Sequence, residues 1–152
     1  MAKVFIVDEQ PMYRHGIRAA LGRIPDVEIA GDSDLTDAIL APVDAAMPDV
    51  IVMGADAAFL ECLRLCRAVK QRAPSVSIII LSGDGQQDEQ VFQAIKAQAS
   101  AFLSRNVSPE ELARAIARCA RGEHPINETL ATRPRVAEQI LRQFHELSRE
   151  KE

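Results

Sequence analysis

Short apolar runs alternate with amphipathic segments through most of this 152-residue chain. Between the runs, apolar residues recur at spacings of three and four, which predicts helices that each bury one stripe. The runs themselves predict buried strands, at residues 3–7, 27–30, 50–53, 76–81 and 101–104. Strands that alternate with helices form parallel sheets through right-handed crossovers. The pattern therefore predicts an α/β fold, a five-stranded parallel sheet with helices on both of its faces.

Two helical segments carry clear boundary signals. Ser108 and Glu111 have the spacing of a capping box, with proline at the first helical position, and Gly122 stops the helix that follows. The segment 35–46 has helical apolar spacing but contains Pro42. Because proline inside a helix removes a hydrogen bond and clashes with the preceding turn, we expect a kink or an early stop there.

The character of the chain changes after residue 122. Residues 1–122 hold the five strand–helix units, whereas residues 123–134 are polar and rich in turn formers, which indicates a linker. Residues 135–152 predict a final amphipathic helix. Its apolar stripe comprises Val136, Ile140, Leu141, Phe144 and Leu147.

Composition and charge exclude several classes of protein. With 47% hydrophobic and 26% charged residues the chain is folded and not disordered. The net charge of −4 gives no global basic field for nucleic-acid binding by these residues. No apolar stretch approaches the roughly 20 residues of a membrane span, and the first residues lead directly into a strand. We therefore expect a cytoplasmic protein with no membrane association.

Polar residues follow four of the predicted strands. Asp8 and Glu9 follow the first, Gly54 the third, Ser82 the fourth and Arg105 the fifth. In open parallel sheets, ligands and chemistry gather outside the carboxyl ends of the strands. We therefore expect an acidic pair, a hydroxyl and a cation to surround one crevice.

Three segments resemble the receiver domain of two-component response regulators, most of all its NarL/FixJ branch. Residues 5–11 give the opening of strand, acidic pair and proline, and residues 97–103 with 108–112 are similar to the fifth strand and last helix. The resemblance covers residues 3–121. It implies a CheY-like, flavodoxin-like (βα)5 fold with strand order 2-1-3-4-5.

In that branch a LuxR-type helix-turn-helix domain follows a linker. Residues 147–152 look like the first residues of such a domain. The resemblance implies that the native protein continues past Glu152 and binds DNA only through that domain, to control transcription. It also implies a sensor histidine kinase as a possible partner.

The resemblance further implies a set of pocket residues. Members that accept a phosphoryl group use a strand-end aspartate as nucleophile, an acidic pair for Mg²⁺, and a lysine with a hydroxyl for the phosphoryl oxygens. Asp8 and Glu9 match the acidic pair, and Ser82 matches the hydroxyl. Phe102 matches the aromatic position that reports the state of the pocket.

This chain departs from the family at two of these positions. Gly54 stands where the phosphoacceptor aspartate belongs and offers no nucleophile, and Arg105 stands where the lysine belongs. A guanidinium pairs bidentately with carboxylates and stays charged. We therefore expect Arg105 to fold onto Asp8 or Glu9 and take the place of the metal. We expect no cofactor, and at most weak Mg²⁺ binding at the acidic pair.

Three functions remain open from the sequence. The favoured one is a regulatory module without enzymatic activity that dimerises through its final two helices and controls an attached DNA-binding domain. The second is a phosphorelay acceptor that uses Asp56, which a loop about three residues short at 54–60 would carry into the pocket. Against it, Asp56 lies in an alanine-rich stretch that favours the start of a helix. The third, a flavodoxin-like nucleotide binder, lacks a glycine-rich loop after the first strand.

Overall fold

The computed structural model describes residues 1–83 and 87–150, except the side chain of Glu150. All five predicted strands are present within it. They are β1 (Ala2–Asp8), β2 (Val27–Ser33), β3 (Val50–Gly54), β4 (Ser77–Ser82) and β5 (Ala101–Ser104). The second strand extends three residues beyond its predicted end, because it pairs with β1 across an irregularity in register between Val4 and Phe5.

The strands form one parallel sheet in the order β2-β1-β3-β4-β5, so the predicted topology is confirmed. The register between neighbouring strands decides which residues lie side by side at the carboxyl edge of the sheet. Asp8, the last residue of β1, lies beside Gly54, the last residue of β3. Between the next two strands of the sheet, Ser82 at the end of β4 pairs with Ser104 at the end of β5.

Successive residues of each central strand point to opposite faces of the sheet. In β1, Val4 and Ile6 enter one hydrophobic cluster, whereas Phe5 and Val7 enter the other. Because both faces are covered, these strands are apolar throughout, as expected of a parallel sheet.

Seven α-helices lie in the described part of the chain. They are α1 (Pro11–Leu21), α2 (Leu40–Ala46), α3 (Phe59–Arg72), α4 (Asp88–Lys96), α5 (Pro109–Ala120), α6 (Ile126–Ala131) and α7 (Pro134–Glu150). Helices α1 and α5 bury their stripes in one cluster, and α2, α3, α4, α6 and α7 contribute to the other. None of these helices combines the length and the apolar character needed to cross a bilayer.

The kink or early stop predicted at Pro42 is wrong. A short 3₁₀ helix, Asp37–Ile39, comes first, capped by Thr36, whose Oγ1 accepts a hydrogen bond from the backbone N–H of Ala38. Helix α2 then begins at Leu40, so Pro42 lies in its first turn. There the backbone N–H that proline lacks would have no partner inside the helix, and the proline is tolerated.

The signals at the ends of α5 are confirmed. Ser108 is the N-cap, and its Oγ accepts a hydrogen bond from the N–H of Glu111 at 3.1 Å. The chain leaves the helix through Gly122, whose φ of +88° is a conformation that favours glycine.

Residues 123–134, expected as a linker, instead contain α6 and pack on the domain. Ile126 is buried, and its N–H donates to the carbonyl of Ser100 at 2.9 Å. Arg118 on α5 pairs with Glu123 and Glu128. The polar composition gave no indication of this helix, which is held by buried Ile126, by partly buried Leu130 and by ion pairs at the surface.

Candidate functional site

The strand ends bring the predicted site residues to one edge of the sheet. Asp8 is completely buried at the end of β1, and Gly54 is its neighbour on β3. Arg105 is the first residue after β5, and its backbone N–H donates to the carbonyl of Ser82 at 2.9 Å. The predicted crevice is therefore present.

The guanidinium of Arg105 lies across this crevice on Asp8, as predicted. Its Nη1 is 2.8 Å from Asp8 Oδ2 and its Nη2 is 3.2 Å from Asp8 Oδ1, which is a bidentate pair. Its Nε donates to Asp56 Oδ2 at 2.9 Å, and its face stacks on Tyr13 with 4.1 Å between Cζ and the ring centroid. Only 5% of the side chain is exposed.

The surroundings of Arg105 favour its charged form. Burial by itself lowers the pKa of the guanidinium, but the hydrogen bonds and attraction from Asp8 and Asp56 outweigh it and raise the pKa above its ordinary value. Asp8 is satisfied in turn, because its Oδ1 also accepts from the N–H of Gln10 at 2.9 Å. A buried ion pair is stable only when such additional hydrogen bonds are made.

The Glu9 carboxylate binds main-chain N–H groups of the β3–α3 loop, whereas the Asp8 carboxylate binds Arg105. Its Oε1 accepts from the backbone N–H of Asp56 at 2.6 Å, and its Oε2 accepts from that of Ala58 at 3.2 Å. Ala58 is the N-cap residue of α3. Glu9 therefore occupies N–H groups at the start of a helix, where a negative charge is favourable.

Asp56 lies in the pocket, and the expectation that it opens a helix is wrong, since α3 begins at Phe59. Besides its contact with Arg105, its Oδ1 accepts from the backbone N–H of Gly83 at 2.6 Å. The side chain is 35% exposed. Asp56 therefore joins the β3–α3 loop to the residue after β4 and to the cation after β5.

No side chain fits at Gly54 while Asp8 keeps its place. A Cβ at this position would lie 2.2 Å from Asp8 Oδ2 and 3.0 Å from Arg105 Nη1. The first distance is far inside van der Waals contact, so Asp8 would have to move. The Asp8 carboxylate therefore fills the space beside this strand end that a side chain at position 54 would need.

Ser82 and Phe102 complete the predicted set. Ser82 is buried at the end of β4, next to the crevice. Phe102 is also buried and packs on Phe59, with 5.9 Å between the ring centroids. Its ring belongs to the core beneath α3, and its switching role stays a prediction.

Sequence reasoning missed two members of the site, Tyr13 and Gly83. Tyr13 is the only tyrosine of the chain, and its place one turn after the acidic pair is the signal that could have shown it above the crevice. Gly83 contributes a main-chain N–H, and main-chain groups leave no mark in the sequence.

The residues of this pocket do not fit a divalent cation. Both oxygens of Asp8 pair with Arg105, and both oxygens of Glu9 accept main-chain N–H groups. Within the described residues, no group of three or more acidic, histidine or cysteine side chains is placed to hold a metal. A metal ion would have to displace a cation that is already bound to the carboxylates.

Comparison with known proteins agrees with the fold. A family model described as the response regulator receiver domain matches residues 4–117. The chain belongs to this family. The receiver fold thus explains why the acidic pair, Ser82 and Arg105 meet at one edge of the sheet.

Curated relatives include several transcriptional regulators. The DNA-binding transcriptional activator DevR/DosR of Mycobacterium tuberculosis is 34% identical over 116 residues, which cover 76% of this chain and 53% of that protein. The nitrate/nitrite response regulator protein NarL of Escherichia coli K12 is 24% identical over 129 residues, 85% of this chain and 59% of that protein. The chain thus spans little more than half the length of these relatives.

Solved structures share the fold. The signal receiver domain of the putative response regulator NarL from Mycobacterium tuberculosis superposes with a TM-score of 0.70 at 24% identity, covering 80% of this chain and 98% of that one. The isolated receiver domain of RcsB from Salmonella enterica serovar Typhimurium gives 0.69 at 22% identity, covering 82% and 91%.

Proposed function

We propose that this chain is a receiver domain that regulates through protein contacts and accepts no phosphoryl group. The observation that carries the proposal is the filled space at Gly54. This residue ends β3 beside Asp8, where the family places its acceptor, and the Asp8 carboxylate takes up the volume that an acceptor would need. The domain then works as a binding module and not as an enzyme.

The charge arrangement supports the same proposal. A receiver that accepts phosphoryl groups needs a divalent cation held by its acidic pair. Here the guanidinium of Arg105 takes the role of that cation toward Asp8, and Glu9 serves as a helix cap. No free Mg²⁺ is required to neutralise the buried carboxylate, and none is part of the proposed mechanism.

The control of transcription that we propose is an activity of the longer native protein. This chain resembles about half of the length of DevR/DosR, which is named as a DNA-binding transcriptional activator. We propose that the native chain continues past Glu152 into a LuxR-type DNA-binding domain and works as a cytoplasmic homodimer. A sensor histidine kinase remains a possible partner that binds without transferring a phosphoryl group.

Intact mass spectrometry tests the proposal. The protein is incubated with a small phosphodonor and Mg²⁺, beside a receiver domain known to accept phosphoryl groups. We expect the comparison domain to gain the mass of one phosphoryl group and this chain to gain none. Stoichiometric labelling of this chain would overturn the proposal.

One observation favours a second candidate, a phosphorelay acceptor that uses Asp56. Its carboxylate lies in the pocket, partly exposed and within 2.9 Å of Arg105. The same mass experiment decides between the two candidates when it is repeated on Asp56→Asn. Labelling that is present in the unmodified chain and absent from this variant would assign the acceptor to Asp56.

A further inference from the structure

Four loops at the carboxyl edge of the sheet meet around one cation. Arg105, after β5, contacts Asp8 at the end of β1 and Asp56 in the β3–α3 loop. Asp56 in turn contacts Gly83, after β4. The carboxylate of Asp56 is the link to Gly83, because its two oxygens face different donors. Oδ1 accepts from the Gly83 N–H at 2.6 Å and Oδ2 accepts from Arg105 Nε at 2.9 Å.

The ion pair between Arg105 and Asp56 differs from the ion pairs at the surface. Arg72 and Asp44 also form a salt bridge, but 51% and 41% of their side chains are exposed. In the Arg105–Asp56 pair, Arg105 is 5% exposed and Asp56 is 35% exposed, and the guanidinium also contacts Asp8 and the ring of Tyr13. Electrostatic attraction is stronger when one partner is buried than when both charges are solvated. The Nε of Arg105 is directed at the position where the Asp56 carboxylate lies.

The main chain at Asp56 is held separately from its side chain. Its N–H donates to Glu9 Oε1 at 2.6 Å, which is a contact that the loop makes through its main chain and not through the Asp56 carboxylate. The N–H of Gly83 and the Nε of Arg105 are therefore two donors on different loops that converge on one small anionic group. Two converging donors, one of them charged, form a cradle for an oxyanion.

We propose that Asp56 is an internal ligand, whose carboxylate fills an oxyanion cradle formed by Arg105 and the Gly83 N–H and closes it to free anions. The inference rests on the proposed function, because it explains how the pocket keeps one state without a phosphoryl group. A small oxyanion, carboxylate or phosphate, binds in the cradle only when the Asp56 side chain is removed.

Chemical rescue tests the cradle. Asp56→Ala is titrated with sodium formate and, in a second arm, with inorganic phosphate, each against sodium chloride at equal ionic strength. The readouts are the melting temperature and the ¹⁵N resonance of Arg105 Nε. We expect formate to raise the melting temperature of the variant and to return the Arg105 resonance toward its original position. The unmodified protein should show neither change.

The two arms separate the possible anions. Rescue by formate alone would define a cradle shaped for a carboxylate, and rescue by both would define a general oxyanion site. The matched control is Asp44→Ala, which removes the partner of the exposed Arg72 and should show no rescue. Absence of rescue by both anions in Asp56→Ala, or equal rescue in the control, would overturn the proposal.

A second variant covers the case in which Asp56→Ala does not fold. Asp56→Asn keeps the size of the side chain but removes its charge. We expect exchange of the Arg105 Nε proton with solvent to become about tenfold faster, since a hydrogen bond to a charged acceptor is lost. An unchanged exchange rate would contradict the proposal. These readouts do not depend on phosphorylation. A result that contradicts the cradle therefore leaves the proposed function standing, and labelling in the mass experiment would contradict the proposed function without affecting these readouts.

Discussion

A glycine at the end of a buried strand leaves room for a neighbour, and at Gly54 that neighbour is the Asp8 carboxylate. The arrangement is self-consistent, because glycine leaves the space that the Asp8 carboxylate takes and Arg105 balances the charge of that carboxylate. Each of the three residues therefore depends on the other two, and changes at one of them should be judged together with changes at another.

Introducing an aspartate at position 54 tests this dependence. We expect Gly54→Asp to be phosphorylated poorly, because its Cβ would displace Asp8 and Arg105 would still neutralise the carboxylates. Overpacking of this kind costs about 1–3 kcal/mol of stability. The double variant Gly54→Asp with Arg105→Lys should be phosphorylated faster, since lysine releases the Asp8 oxygens and leaves space for Mg²⁺.

The measurement is the labelled fraction over time with a small phosphodonor and Mg²⁺, followed by intact mass. Arg105→Lys alone is the control and should stay unlabelled. Equal rates for the single and double variants would show that Arg105 does not obstruct the pocket.

The contact between Arg105 and Asp8 could be predicted from the sequence, because both residues lie at the carboxyl ends of strands in one parallel sheet and a guanidinium pairs with a carboxylate. The position of Asp56 could not. It depends on the path of a short loop, and that path is set by Glu9 accepting two main-chain N–H groups.

At the scale of helices and strands, the sequence predicted the ends of a helix correctly where the conformation of a single residue determines them. Ser108 and Gly122 mark the ends of α5, since a cap and a left-handed exit are properties of single residues. Helix α6 gave no such signal. It is held by Ile126 in the core and by Arg118, which are tertiary contacts that the periodicity of a six-residue segment does not reveal.

The attachment of α6 should weaken in acid. Hydrogen bonds from Arg118 hold the pKa of Glu128 below its usual value of 4.5, and Arg118 with Arg121 does the same for Glu123. A lowered carboxylate pKa contributes stability that is present above the usual value and is lost as the pH falls through the lowered one. The glutamates are exposed, so we expect a small effect of this sign.

Unfolding of the unmodified chain and of Glu128→Gln between pH 7 and pH 3 checks this expectation. The variant should be less stable at neutral pH, and the difference should shrink in acid as the unmodified chain loses the pair. Glu146→Gln is the control, since Glu146 makes no ion pair among the residues described. A difference that stays constant down to pH 3 would contradict the role of Glu128.

For the whole molecule, the position of α7 decides which surface is left for a partner. Its first half joins the domain, because Val136 is buried and Ile140 packs on the core. Arg133, just before the helix, pairs with Asp88 at the start of α4. The apolar residues of α5 are buried against the sheet, so the stripe that remains exposed belongs to the second half of α7.

That stripe predicts a homodimer formed through α7. Leu141, Phe144 and Leu147 are 59%, 65% and 58% exposed, and they lie on one side of the helix. A helix segment of this length is marginal in water without a partner, and contiguous exposed apolar side chains mark an interaction site. We expect light scattering to give the dimer mass at micromolar concentration. Phe144→Ser should shift the mass to that of the monomer, because an aromatic side chain buries a large area in an interface. Arg142→Ser, on the opposite side of the same helix, should leave the dimer intact. A monomer mass for the unmodified chain at every concentration would show that this stripe does not pair two copies.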